Sequence, residues 1–167
     1  MFVIGVDPGI SGGVVVLRED GEFADGFRTP IFQEPTRKRL NSREMADRLI
    51  RLGCLGWYSH PVIEEVNAMP AQGVSSSFRF GESFGRAYGV LNVVSIHPVV
   101  TVRPAVWKKH FGLSRDKRGS LALAEHCWPD AMDMEGEEIN WGVLANDGIA
   151  EAALIAKWWL ETNGEND

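Results

Sequence analysis

Four carboxylates in this chain sit where carboxylates are costly. Asp7 interrupts the apolar run VIGVDPGISGGVVVL at residues 3–17, and Glu64 or Glu65 interrupts a second one, PVIEEV. Side chains alternate across a strand, so of that pair only Glu64 shares a face with Val62 and Val66. In NDGIAEAALIAKWW, Asp147 and Glu151 are four residues apart and lie on one helix face, which continues as Leu154, Ile155 and Trp158. Desolvating a lone carboxylate costs several kcal/mol or forces its protonation, so something positive is expected beside such residues. Hard divalent cations such as Mg²⁺ take oxygen ligands from a few carboxylates, waters and substrate phosphates. Two such ions about 3.5–4 Å apart can activate a water and stabilise the leaving oxygen of a phosphodiester. Each acid alone also has a plain structural reading: Asp7 as a turn residue before Pro-Gly, Glu64 as an edge or ion-pair residue, Asp147 as a helix cap. The metal reading rests on all four occurring in one chain.

The elements that must position these acids follow from patterning. Residues 2–7 and 12–18 read as strands joined by a Pro-Gly-Ile-Ser-Gly-Gly turn, and residues 22–28 as a third strand after Asp20-Gly21. Residues 29–40 read as a polar, basic loop. Asn41-Ser42 cap a helix with Met45, Leu49 and Leu52 at helical spacing before Gly53. His60-Pro61 opens the strand that carries Glu64, and residues 75–77 precede a long helix with Phe78, Phe84, Tyr88 and Leu91 among its apolar positions. Residues 99–102 form a strand, Pro104 starts a helix, and residues 117–127 make another. An acidic loop leads to a last helix from Asp147 to about Leu160. The order β-β-β-α-β-α-β-α-α predicts a mixed α/β layer fold in one domain, residues 1–160, with a polar tail at 161–167.

The 167-residue chain has 44% hydrophobic and 24% charged residues, as expected of a globular domain. No apolar run approaches the ~18 residues a membrane span needs, and the N-terminus lacks the pattern of a secretory signal. Cys54 and Cys127 are too few and too far apart for a disulfide framework, which points to a reducing, cytoplasmic setting. A zinc site from Cys54, His60, His126 and Cys127 lacks ligand spacing. The net charge of −6 conceals an asymmetry. Residues 101–120 carry six basic side chains (Arg103, Lys108, Lys109, Arg115, Lys117, Arg118) against Asp116, a surplus of five. Residues 37–51 have a surplus of four, and residues 121–167 a deficit of ten. Two basic segments can build a phosphate-binding surface on an acidic protein, although either alone reads equally well as a solvated face.

Together, VIGVDPGISGG, VIEEVNAMPAQGVSSSFRFGESFGRAYGVL, VTVRPAVWKKHFGLSRDKRGSLALAEHCWPD and NDGIAEAALIA resemble the RuvC-type Holliday-junction resolvases, particularly their phage-type branch, over most of residues 2–159. The resemblance implies a ribonuclease-H-like fold: a mixed five-stranded central sheet, an antiparallel meander followed by parallel strands, flanked by helices. It also implies Mg²⁺-dependent cleavage of four-way DNA junctions by a homodimer, with two ions and with Mn²⁺ as a substitute. Asp7 then matches the first-strand acid, Glu64 the acid on the fourth strand, and Asp147 with Glu151 the pair on the last helix. The spacing of that pair, Asp-x-x-x-Glu, departs from the Asp-x-x-Asp usual in bacterial members. Lys108, Lys109 and Lys117 resemble the phosphate-binding lysines, with Lys117 nearest the scissile phosphate. Gln72, Ser76, Phe78, Arg79 and Arg86 fall in the junction-contacting segment, and Arg115 and Arg118 in the basic one. Phe78 and Phe80 read either as wedges against unstacked bases or as core. Trp107 reads as a core anchor.

Three other readings compete. An RNA–DNA hybrid or flap nuclease would keep the fold and the acids. A non-catalytic junction-binding protein would be expected to have lost one acid, and none is missing. GVDPGISGG also resembles the phosphate loop of actin-like kinases, but those need two such domains and a second Gly-rich motif, for which there is no room.

Overall fold

The computed structural model describes residues 1–54, 59–67, 73–114 and 116–163. Strands β1 (Phe2–Asp7), β2 (Gly13–Arg18) and β3 (Phe23–Arg28) form an antiparallel meander. A hairpin, β4 (Ile31–Gln33) and β5 (Lys38–Leu40), leads into α1 (Ser42–Arg51). Strand β6 (Ser59–Glu64) returns parallel to β1, and α2 (Val74–Val94) connects it to β7 (Val100–Val102), parallel to β6. Helices α3 (Pro104–His110), α4 (Lys117–Cys127) and α5 (Asp147–Asn163) complete the chain. The main sheet has the order β3-β2-β1-β6-β7, mixed and five-stranded as expected.

The sheet separates two cores. Ile4, Val6, Val14, Val16 and Ile63 pack with α1 and α2, whereas Val3, Val15, Leu17 and Val62 pack with α3, α4 and α5. Fully burying one such side chain contributes roughly 1.5–3 kcal/mol, so both faces are firmly closed. By the two-residue period, Asp7 shares the face of Val3, and Glu64 that of Val62. Both strand acids therefore face the side on which α5 lies.

How near α5 comes is set by glycine. Gly12 forms a bridge with Gly148, and a Cβ at Gly13 would sit 2.6 Å from the Gly148 carbonyl oxygen. A Cβ at Gly5 would lie 2.8 Å from the Ala156 amide nitrogen. The absence of side chains here lets the helix backbone rest directly on β1 and β2, which carries the helix acids up to Asp7.

The expected helix cap at Asn41 is present: its side chain accepts from the Glu44 amide. Three boundaries differ from expectation. Residues 31–33 and 38–40 are a hairpin and not a loop; Arg37 and Arg39 both pair with Glu34 and with Glu82 of α2, a distant anchor that overrides the weak local strand pattern. Helix α2 begins at Val74, before the serines. Helix α5 runs to Asn163, taking the first three residues of the expected tail into the helix.

Candidate active site

The C-terminal ends of β1 and β6 open into a cleft of about 420 Å³. Asp7, Glu64 and Glu151 line it, the 9–12 turn forms one wall, and Ser76, Arg79 and Phe80 from the start of α2 form another. Lys117 lines this cleft and an adjoining one that contains Asp147. All four acids and Lys117 are thus gathered at one end of the sheet, from two strands and two helices.

Local geometry holds each group. Asp7 Oδ1 accepts from the Gly9 amide at 3.2 Å, and Ser83 Oγ donates to the Pro8 carbonyl, tying the turn to α2. Glu64 Oε2 accepts from the Trp107 indole Nε1–H at 2.8 Å. Asp147 is the first residue of α5, where the helix dipole favours a negative charge. Lys117 donates to Asp147 Oδ2, and Lys108 donates to Glu151 Oε1 at 2.6 Å. Ser120 Oγ lies 3.5 Å from that same Glu151 oxygen. Arg28 reaches Asn146 Oδ1 through Nε and Nη2, fastening the end of β3 to the turn before Asp147.

The two strand acids are electrostatically different from the helix acids. Burial, reinforced by the neighbouring Glu151, pushes Asp7 up to about 6. Burial, reinforced by Asp7, pushes Glu64 up to about 7, against the opposing pull of the indole hydrogen bond. Among the described residues neither forms an ion pair, whereas each helix acid is paired with a lysine. The hydrogen bond to Asp147 holds the Lys117 ammonium above the usual lysine range.

Such a donor set fits a hard divalent cation. It is all carboxylate oxygen, it concentrates negative charge, and its two strand members have no cation in contact among the described residues. As the side chains stand, no group of three or more acids, histidines or cysteines among the described residues closes to caging distance. The Cys54, His60, His126 and Cys127 combination forms no such group either.

Of the residues expected to meet DNA, the described ones divide into three sets. Ser76 and Arg79 line the cleft, and Phe78 is 67% and Phe80 37% exposed, so neither phenylalanine is core. Lys109 and Arg118 are exposed on α3 and α4. Lys108 and Arg86 are engaged within the protein: Lys108 with Glu151, Arg86 with Glu82 and over the Phe32 ring. Gln72 and Arg115 lie outside the described residues. Trp107 is the core residue expected, fully buried, and it also donates a hydrogen bond to Glu64 that core packing alone does not imply. The only sequence signal for that bond is its type, since a buried indole needs an acceptor.

No protein-family model matches this sequence, and no curated protein matches it. Among solved structures, the chain is similar to T. thermophilus RuvC in complex with Holliday junction substrate. The identity is 16% and the TM-score 0.58, with 98% of this chain and 97% of that chain covered. It is also similar to a second Thermus thermophilus RuvC structure, at 17% identity and a TM-score of 0.54, with 98% of each chain covered. The likeness covers 98% of the chain and shows a shared fold, with the mixed five-stranded sheet flanked by helices that the motifs led one to expect. No described helix is long and apolar enough to cross a membrane.

Proposed function

We propose that this chain is a divalent-metal-dependent endonuclease of branched DNA, with the four-way junction as its substrate and a homodimer as its working form. The observation that carries the reading is the convergence of Asp7, Glu64, Asp147 and Glu151 at one end of the sheet, with Lys117 at the junction of two clefts. The fold lends support: one T. thermophilus RuvC of this fold is described in complex with a Holliday junction. Two copies would bring two such clefts to one junction and make paired nicks.

In this reading Asp7, Glu64, Asp147 and Glu151 would together hold the divalent ions, two Mg²⁺ in the expected case. When bound, a divalent ion supplies Lewis-acid charge that activates water and offsets the charge developing on the phosphate and the leaving oxygen. Lys117, its side chain 57% exposed beside Asp147, neutralises the phosphate being cut. Ser76, Arg79, Lys109 and Arg118 hold neighbouring phosphates, and the exposed Phe78 stacks on or wedges between bases near the branch point. In-line attack leaves a 5′-phosphate and a 3′-hydroxyl.

End-labelled immobile four-way junctions, with matched duplex, flap and RNA–DNA hybrid controls, test the proposal against wild type and Asp7→Asn, in Mg²⁺ and in EDTA. Paired nicks across the junction that need both the metal and Asp7 are expected. Cutting of the hybrid or flap alone would replace the substrate. Tight junction binding without any cutting in Mg²⁺ or Mn²⁺ would make the chain a non-catalytic binder.

A further inference from the structure

Helix α3 sends two successive side chains to two different members of the acid cluster. The Trp107 indole meets Glu64 Oε2 at 2.8 Å, and Lys108 meets Glu151 Oε1 at 2.6 Å. The Lys108 ammonium also lies 5.0 Å from the centre of the Trp107 ring, so the two contacts brace one another. The route of the chain makes this possible: β7 runs parallel to β6 with Val102 beside Glu64, and Pro104 starts α3 immediately afterwards. Trp107 is fully buried in the core beneath α5. Its ring is therefore fixed, and so is the direction of its N–H. Glu64 is on the strand's last residue, with a flexible side chain and no ion pair among the described residues. Its Oε1 makes no hydrogen bond among the described residues.

We propose that Trp107 is a positioning residue for Glu64: the indole N–H anchors one carboxylate oxygen and leaves the other directed to the cleft for a divalent cation. The inference rests on reading Glu64 as a metal ligand. A phenylalanine would keep an aromatic ring in the core, though a smaller one, but offers no donor, so the indole N–H is the feature of Trp107 that can anchor Glu64. Partners that orient a ligating carboxylate typically contribute 10–100-fold to metal affinity.

The test measures metal binding without DNA. Mn²⁺ is titrated by calorimetry into wild type, Trp107→Phe and Glu64→Gln, and the rise in melting temperature at saturating Mg²⁺ is recorded for each. Trp107→Phe is expected to weaken Mn²⁺ by roughly 10–100-fold while junction binding in EDTA persists. Its cutting should need correspondingly more metal, with the rate recovering at high Mg²⁺. Wild-type metal affinity in Trp107→Phe, with a clear loss in Glu64→Gln, would overturn the positioning role and leave Glu64 a ligand. Wild-type affinity in Glu64→Gln would overturn the reading of Glu64 itself. Should Trp107→Phe fail to fold, the wild-type Trp107 indole resonance, assigned through nuclear Overhauser contacts with the surrounding core, serves in its place. It should shift in step with Mg²⁺ binding, and a resonance that stays fixed through saturation would end the proposal.

Discussion

Helix acids and strand acids meet in one site but are treated differently by the protein. Asp147 and Glu151 each have a lysine, Lys117 and Lys108, in hydrogen-bonding contact. Asp7 and Glu64 have backbone and indole donors, and burial raises both toward neutrality. The difference teaches where an added positive charge is most needed. A cation near the helix pair would compete with an ammonium already present, whereas one beside the strand pair would relieve a desolvated and mutually repelling pair of charges. The strand pair stores the electrostatic tension, and the helix pair with its lysines forms a more nearly neutral rim.

Asp7→Asn should break this contrast most sharply. Junction cutting should fall by about three orders of magnitude, as expected when several kcal/mol of metal-dependent charge stabilisation is lost. Stability in EDTA at pH 8 should move the other way. Asp7 is raised from 3.8 to about 6, so its ionised form costs on the order of 3 kcal/mol when taken alone, and the neutral amide avoids that cost. A melting temperature several degrees above wild type is expected for Asp7→Asn. Asp147→Asn would strand Lys117 and should bring no such rise. Differential scanning calorimetry of both variants, with single-turnover cutting, decides the matter; a destabilised Asp7→Asn would contradict the picture of stored tension.

The same contrast predicts a pH dependence. A carboxyl whose folded pKa lies above its unfolded value binds more protons when folded, so its contribution to stability is full below the unfolded pKa and is lost as pH rises through the folded one. For Asp7 the window runs from about 4 to about 6, and for Glu64 from about 4.5 to about 7. Metal-free protein should therefore lose stability between pH 4 and pH 7, through these two groups, by a few kcal/mol in all. Saturating Mg²⁺ should flatten or reverse that slope, because binding to the ionised form adds stability by mass action. Urea unfolding across this range, with and without Mg²⁺, measures both curves. Parallel curves would remove the strand pair from metal binding.

The acids were legible in the sequence because charge inside an apolar strand, or in line with an apolar helix face, conflicts with burial. Asp7, Glu64, Asp147 and Glu151 could each be found that way, and the alternation rule alone chose Glu64 over Glu65. Their partners were not legible. Lys108 reaches Glu151 across 43 residues and Lys117 reaches Asp147 across 30, and no local pattern reports contacts of that range. The basic segment around Lys108 therefore read as one phosphate-binding surface, although one of its lysines is turned inward. Gly12 and Gly13 read as part of a turn, yet with Gly5 they also admit the backbone of α5. The hairpin at 31–40 has no local signature, because its anchor, Glu82, lies on another element. Helical periodicity likewise could not decide between core and surface for Phe78.

Lys108 and Lys109 carry the smallest predicted effect and the finest test of the contrast between inward and outward charge. They are adjacent on α3, but Lys108 is 18% exposed and paired with Glu151, whereas Lys109 is exposed. Lys108→Gln leaves a buried carboxylate uncompensated, and should cost about 1–3 kcal/mol of stability in metal-free protein. Lys109→Gln should leave stability within about 0.5 kcal/mol of wild type, as a surface substitution does. Its effect should emerge in junction binding: one lost phosphate contact weakens affinity a few-fold and lowers the slope of log affinity against log salt by about 0.9. Lys108→Gln should change that slope by less, since its ammonium is already engaged within the protein. Binding measured from low to moderate salt in EDTA separates the two. Equal slopes for both variants would mean that Lys108 leaves Glu151 when DNA arrives, and that the helix acid, like the strand acids, then depends on a metal ion for its neutralisation.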